Sequence, residues 1–284
     1  MTWIVRFSLI SICILLLVAC GGKQQSHIAA GKDTDMVGIS AGGFDYTDTL
    51  QLEVHFAEWL KGVLQLPEDA RREAVHKLMS DGNEYPESQL RLMEIAEHYL
   101  ADPNSPVRDE EMFISVLEAF LKSPGIDDDR KLRPAELLRV ANMNCKGSIA
   151  NDFGYVDRNG VAGRLHSLSG EYIVIYFFNP ECADCKRVSE LLANCDVLTK
   201  MVKAKKMTVI ALYPDEDNAI WERHCRELPE EWIVARYATR DDASSYDLPA
   251  IPMLYLLDKD KRVISKDITP EILCDSITIL FSKK

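Results

Sequence analysis

One stretch decides the fold of this 284-residue chain: residues 172–188, with the sequence YIVIYFFNPECADCKRV. Its first seven residues are all β-branched or aromatic, and they predict a buried strand. Apolar residues at spacings of three and four follow, and they predict a helix over residues 183–203. Cys182 then falls at the N-terminus of that helix, and Cys185 lies one turn further in.

The predicted position of Cys182 favours thiol chemistry. Unpaired N–H groups and the positive end of the helix dipole stabilise a thiolate there, which lowers its pKa from about 8.5 toward neutrality. Cys185 is near enough to resolve a mixed disulfide on Cys182. Glu181 and Asp184 are acidic neighbours whose charge opposes thiolate formation, so we expect them to modulate the pKa upward. A less stabilised thiolate means a less oxidising disulfide, which favours a reductase or isomerase.

The rest of the C-terminal half alternates between strands and helices. Residues 153–165 predict a hairpin, because the Asn159-Gly160 pair favours a type I′ turn. Further strands are predicted over residues 207–213, 233–236, 253–257 and 262–265, and further helices over residues 217–226 and 270–281. This order, which closes in an antiparallel hairpin, predicts an α/β sandwich over residues 146–284.

A strand, a CxxC pair and a helix in this order resemble the thioredoxin superfamily, and within it the exported TlpA/ResA-like branch. A second mark of the family is Ile251-Pro252, which enters a predicted strand about 70 residues after Cys182. The resemblance implies a thioredoxin-like sandwich with a cis bond before Pro252. It also implies that Ile251 and Pro252 contact the substrate chain beside the cysteines.

The resemblance has two further consequences. Thioredoxins commonly place a buried acid six residues before the first cysteine, and that position is Tyr176 here; Glu171 and Glu181 are the candidate replacements for this base. Residues 211–232 resemble a subgroup of bacterial thioredoxin-like lipoproteins that carry an N-terminal helical domain of unknown function. That narrower resemblance implies no particular substrate.

Residues 45–145 have a different pattern. Apolar residues recur at spacings of three and four, and they predict a small all-α domain of four or five helices. Helix breaks are predicted at Pro67, Pro86, Pro103, Pro106, Pro124 and Pro134. Apolar faces over residues 90–100 and 112–121 are expected to pack together. The histidines of this region lack a partner at metal-ligand spacing, so no metal site is expected.

The first residues predict export and lipidation. An apolar run over residues 7–18 is too short to span a bilayer and fits a signal peptide, residues 1–19. It ends in Leu17-Val18-Ala19-Cys20, which resembles the lipobox of bacterial lipoproteins, so Cys20 is the expected lipidation site. Residues 20–44 then read as a flexible tether. We expect a cell-envelope, periplasm-facing protein, in the outer membrane rather than the inner; the alternative is an ordinary secretory signal with a chance cysteine.

Composition excludes some functions. The net charge is −12 and no basic stripe is present, so nucleic acid is not an expected partner. No cofactor is expected either. Beyond the CxxC pair, each of Cys145, Cys195, Cys225 and Cys274 is expected to be a free buried thiol or part of a structural disulfide, with connectivity left open.

The main hypothesis is therefore a membrane-anchored thiol-disulfide oxidoreductase that acts on protein or peptide disulfides and exchanges electrons with an unidentified redox partner. The alternative is a non-catalytic binding lipoprotein on the thioredoxin fold, in which the CxxC pair is a structural disulfide. Peroxide reduction is a third hypothesis, with Arg187 as a nearby basic residue. The substrate and the direction of electron flow are not encoded in these patterns.

Overall fold

The computed structural model describes residues 44–282 of the chain. Its helices are α1 (Leu52–Val63), α2 (Glu68–Asp81), α3 (Pro86–Leu100), α4 (Glu110–Leu121), α5 (Asp128–Ala141), α6 (Ala183–Ala193), α7 (Asp196–Lys203), α8 (Asn218–His224), the single turn α9 (Arg240–Ala243) and α10 (Pro270–Ser282). Its strands are β1 (Gly154–Asp157), β2 (Ala162–Arg164), β3 (Tyr172–Phe177), β4 (Met207–Tyr213), β5 (Ile233–Tyr237), β6 (Met253–Asp258) and β7 (Val263–Lys266).

Helices α1 to α5 form the N-terminal part of the described chain around one apolar core. The two faces predicted over residues 90–100 and 112–121 both contribute to this core, as expected from their spacing. Pro67 and Pro86 lie at helix starts, where a missing N–H removes no hydrogen bond.

Pro134 lies inside α5, so the predicted helix break at this residue is wrong. A proline in a helix interior removes one backbone hydrogen bond and costs about 3 kcal/mol. Here the side chain of Asp127 accepts the N–H of Arg130 and caps the helix start. Pro134 itself is buried, and α5 packs against α4. The tertiary contacts of α5 therefore outweigh the tendency of Pro134 to break the helix.

The C-terminal part is a mixed sheet covered by helices, the thioredoxin-like sandwich that the sequence predicts. Its strand order is β2-β1-β5-β4-β3-β6-β7. Strand β3 lies between β4, which is parallel to it, and β6, which is antiparallel. Side chains of β3 enter the core on both faces of the sheet, which explains why its sequence is continuously apolar.

Two local predictions in this part are wrong. The helix predicted over residues 183–203 is two helices, since α6 ends at Ala193 and α7 begins at Asp196. Leu192 and Leu198 are both buried, so the apolar spacing continues across the break and hides it. The hairpin between β1 and β2 exists, but its turn is not type I′.

In the hairpin turn, Gly160 has a φ of 80° whereas Asn159 does not adopt positive φ. A type I′ turn requires positive φ at both central residues. The carboxylate of Asp157 accepts the backbone N–H groups of Asn159 and Val161, each at 2.8 Å. These side-chain hydrogen bonds favour a three-residue loop with Gly160 in the left-handed position.

Residues 44–282 lie within one compact unit. Two ion pairs join α4 and its preceding loop to the end of β7. Lys266 Nζ lies 2.8 Å from a carboxylate oxygen of Glu110, and Arg108 pairs with Asp267. The domain boundary near residue 145 therefore stays a prediction, because contacts cross it.

The features predicted for the N-terminus fall outside the described residues. These are the signal peptide, the tether up to residue 43 and the lipidation site Cys20. Within residues 44–282, none of the helices combines the length and the apolar character needed to cross a membrane.

Candidate active site

Strand β3 and its neighbour β6 bring the predicted site residues together. Phe177, the last residue of β3, pairs with Met253, the first residue of β6. The loop that carries Cys182 follows Phe177, and Pro252 immediately precedes Met253. The two loops therefore leave the same edge of the sheet, as the family resemblance implies.

Cys182 is the N-cap residue of α6, and its side chain is partly exposed. Its Sγ atom accepts the backbone N–H of Cys185 at 3.3 Å. This N–H is one of those that a helix leaves unpaired in its first turn. Cys182 Sγ therefore faces a backbone donor and the positive end of the helix dipole.

Cys185 differs from Cys182 in its surroundings. Its side chain is buried, with 1% of the residue exposed, and its Sγ atom accepts the backbone N–H of Asn179 at 3.4 Å. Burial raises the pKa of the Cys185 thiol to about 12, because a thiolate loses its hydration there. Cys182 is thus the accessible sulfur, and Cys185 holds its proton at neutral pH.

Tyr176 occupies the position where thioredoxins commonly place a buried acid. Its hydroxyl donates a hydrogen bond to the carbonyl oxygen of Cys185 at 2.7 Å and lies 3.0 Å from Ser189 Oγ. Burial raises the pKa of the Tyr176 phenol above its usual value, so it stays protonated at neutral pH. Tyr176 therefore holds the active-site helix in place but does not replace the acid as a base.

Neither carboxylate proposed as a replacement base is placed beside Cys185. Glu171 precedes β3, whereas the cysteines follow the end of that strand. Six strand residues span about 20 Å, so Glu171 lies at the opposite edge of the sheet. Glu181 is exposed in the loop before α6 and is engaged elsewhere, with Arg223.

Arginine side chains accompany both acidic neighbours of Cys182. Glu181 lies 3.4 Å from Arg223 of α8, and Asp184 lies 3.7 Å from Arg187. Exposed pairs of this kind contribute little to stability, but each arginine offsets the local field of its carboxylate. The opposition to thiolate formation expected from Glu181 and Asp184 is therefore partly cancelled. The sequence pattern does not reveal Arg223, since it is 42 residues from Glu181.

The Ile251–Pro252 peptide bond is cis, as the resemblance implies. Ile251 is half-buried and packs against the apolar clusters on both sides of the sheet. One of these clusters also contains Cys182 and Cys185. The predicted contact of Ile251 and Pro252 with a substrate chain stays a prediction.

A cavity of about 260 Å³ lies beside Cys185. It is lined by the loop after β3 and by Cys185, Lys186, Ser189 and Glu190 of the active-site helix. Residues at and after the end of α8, including His224 and Glu227, line it as well. The sequence pattern does not point to His224 or Glu227, because both lie about 40 residues from the CxxC pair.

The other cysteines have distinct states. Cys195 and Cys274 form a disulfide that joins the start of α7 to α10, 79 residues apart. Cys145 and Cys225 are free thiols, and Cys225 is buried. No group of three or more His, Cys, Asp or Glu side chains that could hold a metal ion occurs within residues 44–282.

Family models match both parts of the chain. Residues 43–144 match a domain of unknown function (DUF5106), and residues 170–263 match a domain described as thioredoxin-like. The chain shares 32% identity and a TM-score of 0.79 with a thioredoxin-like protein from Bacteroides caccae ATCC 43185. That similarity covers 84% of this chain and 89% of the other. The chain therefore belongs to the thioredoxin-like family.

Shorter solved structures each cover about half of this chain. A C-terminal domain from Bacteroides fragilis NCTC 9343 shares 34% identity at a TM-score of 0.44 and covers 48% of this chain and 99% of its own. A thiol:disulfide interchange protein from Bacteroides sp. shares 20% identity at a TM-score of 0.42 and covers 48% of this chain and 89% of its own. No curated protein matches the chain.

Proposed function

We propose that this protein is a thiol-disulfide oxidoreductase that acts on protein or peptide disulfides through Cys182 and Cys185. The observation that carries the proposal is the asymmetry of the pair. Cys182 is partly exposed at the N-cap of α6. Cys185 is buried one turn further in, and its Sγ accepts a hydrogen bond from the backbone N–H of Asn179. An accessible nucleophile with a protected resolving thiol suits two-step disulfide exchange.

In the reducing direction, the Cys182 thiolate attacks one sulfur of a substrate disulfide. The substrate S–S bond breaks, its second sulfur leaves as a thiolate and takes a proton from water, and a mixed disulfide forms on Cys182. Cys185 then loses its proton and attacks Cys182 Sγ, which releases the first substrate sulfur as a thiol. The substrate gains two electrons, and the Cys182–Cys185 pair becomes a disulfide that a separate dithiol partner must reduce.

The same mixed disulfide supports isomerisation when a second substrate thiol, instead of Cys185, attacks it. The acidic neighbours Glu181 and Asp184 favour a reducing or isomerising pair over a strongly oxidising one, although Arg223 and Arg187 offset part of their charge. The backbone of Ile251 is the proposed cradle for the substrate chain, and the support is that Ile251 packs in the same apolar cluster as Cys182 and Cys185.

The redox potential of the pair tests this function. Trypsin releases residues 165–186 as one peptide that contains Cys182 and Cys185 and no other cysteine, so mass-tagged thiols on this peptide isolate the couple. We expect a reversible couple between about −270 and −180 mV, the range from thioredoxin to disulfide isomerase. A pair that stays oxidised below about −300 mV would favour the non-catalytic binding protein.

The protein is further proposed to be anchored by lipid on Cys20 and to face the periplasm, in the outer membrane. The support is the apolar run over residues 7–18 and the lipobox-like residues that end at Cys20. We expect the mature N-terminal peptide to carry acyl mass on Cys20 and the protein to enter the detergent phase on Triton X-114 partitioning. Separation of the inner and outer membranes then shows which of the two contains the protein.

Two cysteine variants make this test specific. Cys20→Ser is expected to remove the acyl mass, whereas Cys13→Ser, which lies within the signal peptide, is expected to leave it in place. An N-terminal peptide of the wild-type protein without acyl mass would contradict the lipid anchor and favour an ordinary secretory signal.

A further inference from the structure

The second step of the proposed exchange requires a base near Cys185. The Cys185 thiol is buried, and burial holds its pKa at about 12, so it must give up a proton as it attacks. Tyr176 is hydrogen-bonded to the Cys185 carbonyl and stays protonated. Glu171 lies at the other edge of the sheet, and Glu181 is exposed and engaged with Arg223.

The cavity beside Cys185 contains a suitable pair of groups. His224 and Glu227 line it together with Cys185 and other residues of the active-site helix. His224 Nδ1 lies 2.7 Å from Glu227 Oε1, and the His224 side chain is 21% exposed. An ionised Glu227 accepts a hydrogen from Nδ1, which assigns the lone pair of the neutral ring to Nε2.

The cavity also has room for water. Its volume of about 260 Å³ exceeds what one water molecule needs, and its lining includes polar side chains that could bind water, such as Ser189 and Glu190. Ser189 lines the same cavity, and its hydroxyl lies 3.0 Å from the Tyr176 hydroxyl. A proton can therefore pass from Cys185 to His224 through cavity water.

We propose that His224, oriented by Glu227, accepts the proton that Cys185 gives up when it attacks the mixed disulfide on Cys182. The inference rests on the proposed function. In this step the Cys185–Cys182 S–S bond forms, the Cys182–substrate S–S bond breaks, and the electron pair leaves with the substrate sulfur. The proton of Cys185 moves through water to Nε2 of His224, and the imidazolium later returns it to solvent.

The charges that face His224 favour this role. Glu227 follows α8, and Glu190 and Lys186 line the cavity from the active-site helix. Two carboxylates and one ammonium group therefore line the cavity together with His224. Arg223 adds a positive charge next to His224, but its guanidinium contacts Glu181 and the carbonyl of Ala219. Glu227 is thus a positioning residue, and His224 is the proton acceptor.

The two steps can be separated with Ellman's reagent, 5,5′-dithiobis(2-nitrobenzoate), added to the reduced protein. Attack by Cys182 forms an aryl mixed disulfide, and attack by Cys185 releases the second aryl thiolate. Because this leaving group departs as a thiolate without taking a proton, the second step reports the proton on Cys185. Acid quenching, peptic digestion and mass spectrometry then follow the adduct on Cys182 apart from all other cysteines.

His224→Gln is expected to leave adduct formation on Cys182 unchanged and to slow adduct decay about 100-fold at pH 7, a typical general-base contribution. The difference from wild type should shrink as pH rises, because hydroxide then takes the proton. Glu227→Gln is expected to show a smaller slowing. His98→Gln is the matched control, since His98 also faces a carboxylate just past the end of its own helix, 3.9 Å from Asp102, and lies outside the cavity.

A second variant guards against a purely structural effect. His224→Ala leaves space beside the cavity, and added imidazole is expected to restore adduct decay in proportion to its concentration. Equal decay in His224→Gln and wild type at every pH, or equal slowing of both steps without imidazole rescue, would overturn the inference. If the wild-type protein forms no Cys182–Cys185 disulfide at all, the proposed function itself fails, so the two failures are distinguishable.

Discussion

Cys182→Ser is expected to abolish disulfide reduction, with a loss of roughly 1000-fold or more, as for removal of an essential nucleophile. A serine hydroxyl stays protonated at neutral pH and is a much weaker nucleophile than a thiolate, so no mixed disulfide forms. Cys185→Ser removes only the resolving thiol. We expect this variant to accumulate a mixed disulfide between Cys182 and a disulfide peptide, which non-reducing electrophoresis and mass spectrometry of residues 165–186 would detect.

The control for this experiment is Cys225→Ser. Cys225 is a buried free thiol of the same domain and packs in the same apolar cluster as Cys185. We expect it to retain most of the wild-type rate, apart from a stability effect of the substitution. Full activity in Cys182→Ser, or a mixed disulfide trapped on Cys225 instead, would contradict the assignment of Cys182 as nucleophile.

Cys274→Ser is expected to lower the free energy of unfolding by about 4.5 kcal/mol. The Cys195–Cys274 disulfide joins residues that are 79 positions apart in sequence. For a closed loop of that length, the chain-entropy model gives about this loss of stability when the crosslink is removed. The bond also joins α7 to α10, which otherwise contact each other through apolar side chains. Urea denaturation followed by circular dichroism measures the change.

The double variant Cys195→Ser/Cys274→Ser supplies the control. It is expected to match the single variant within about 1 kcal/mol, because either substitution removes the same crosslink. Tryptic peptides 188–200 and 267–283 each contain one of the two cysteines, so mass spectrometry of the unreduced wild type reports the bond directly. If the two peptides are detected as separate masses without reductant, the disulfide is absent and the predicted loss of stability is wrong.

The features that sequence predicted well depend on neighbours along the chain. Residues 172–178 are continuously apolar because β3 is buried on both faces of the sheet. A short window of sequence over these residues is enough to show that pattern. The two-residue spacing of Cys182 and Cys185, after a strand and before a helix, places one sulfur at the N-cap and the other a turn inward. The helical character of residues 45–145 is likewise a matter of local period.

The features that sequence missed depend on contacts between distant residues. The break between α6 and α7 is hidden because buried residues continue at helical spacing on both sides of Cys195. Pro134 is tolerated in α5 because that helix packs against α4. The turn at Asn159 is set by hydrogen bonds that the backbone N–H groups of Asn159 and Val161 donate to the Asp157 carboxylate, and these compete with the conformation that an Asn-Gly pair favours alone.

The sequence by itself thus determined the class of fold, the thiol pair and the edge of the sheet where it lies. Tertiary structure alone decided which cysteines pair, since Cys195 and Cys274 are brought together by the packing of α7 and α10. It also decided that His224, 39 residues from Cys185 in sequence, shares a cavity with it. The physical reason is that local periods report which face of an element is buried, whereas burial against a particular partner is settled only when the elements pack.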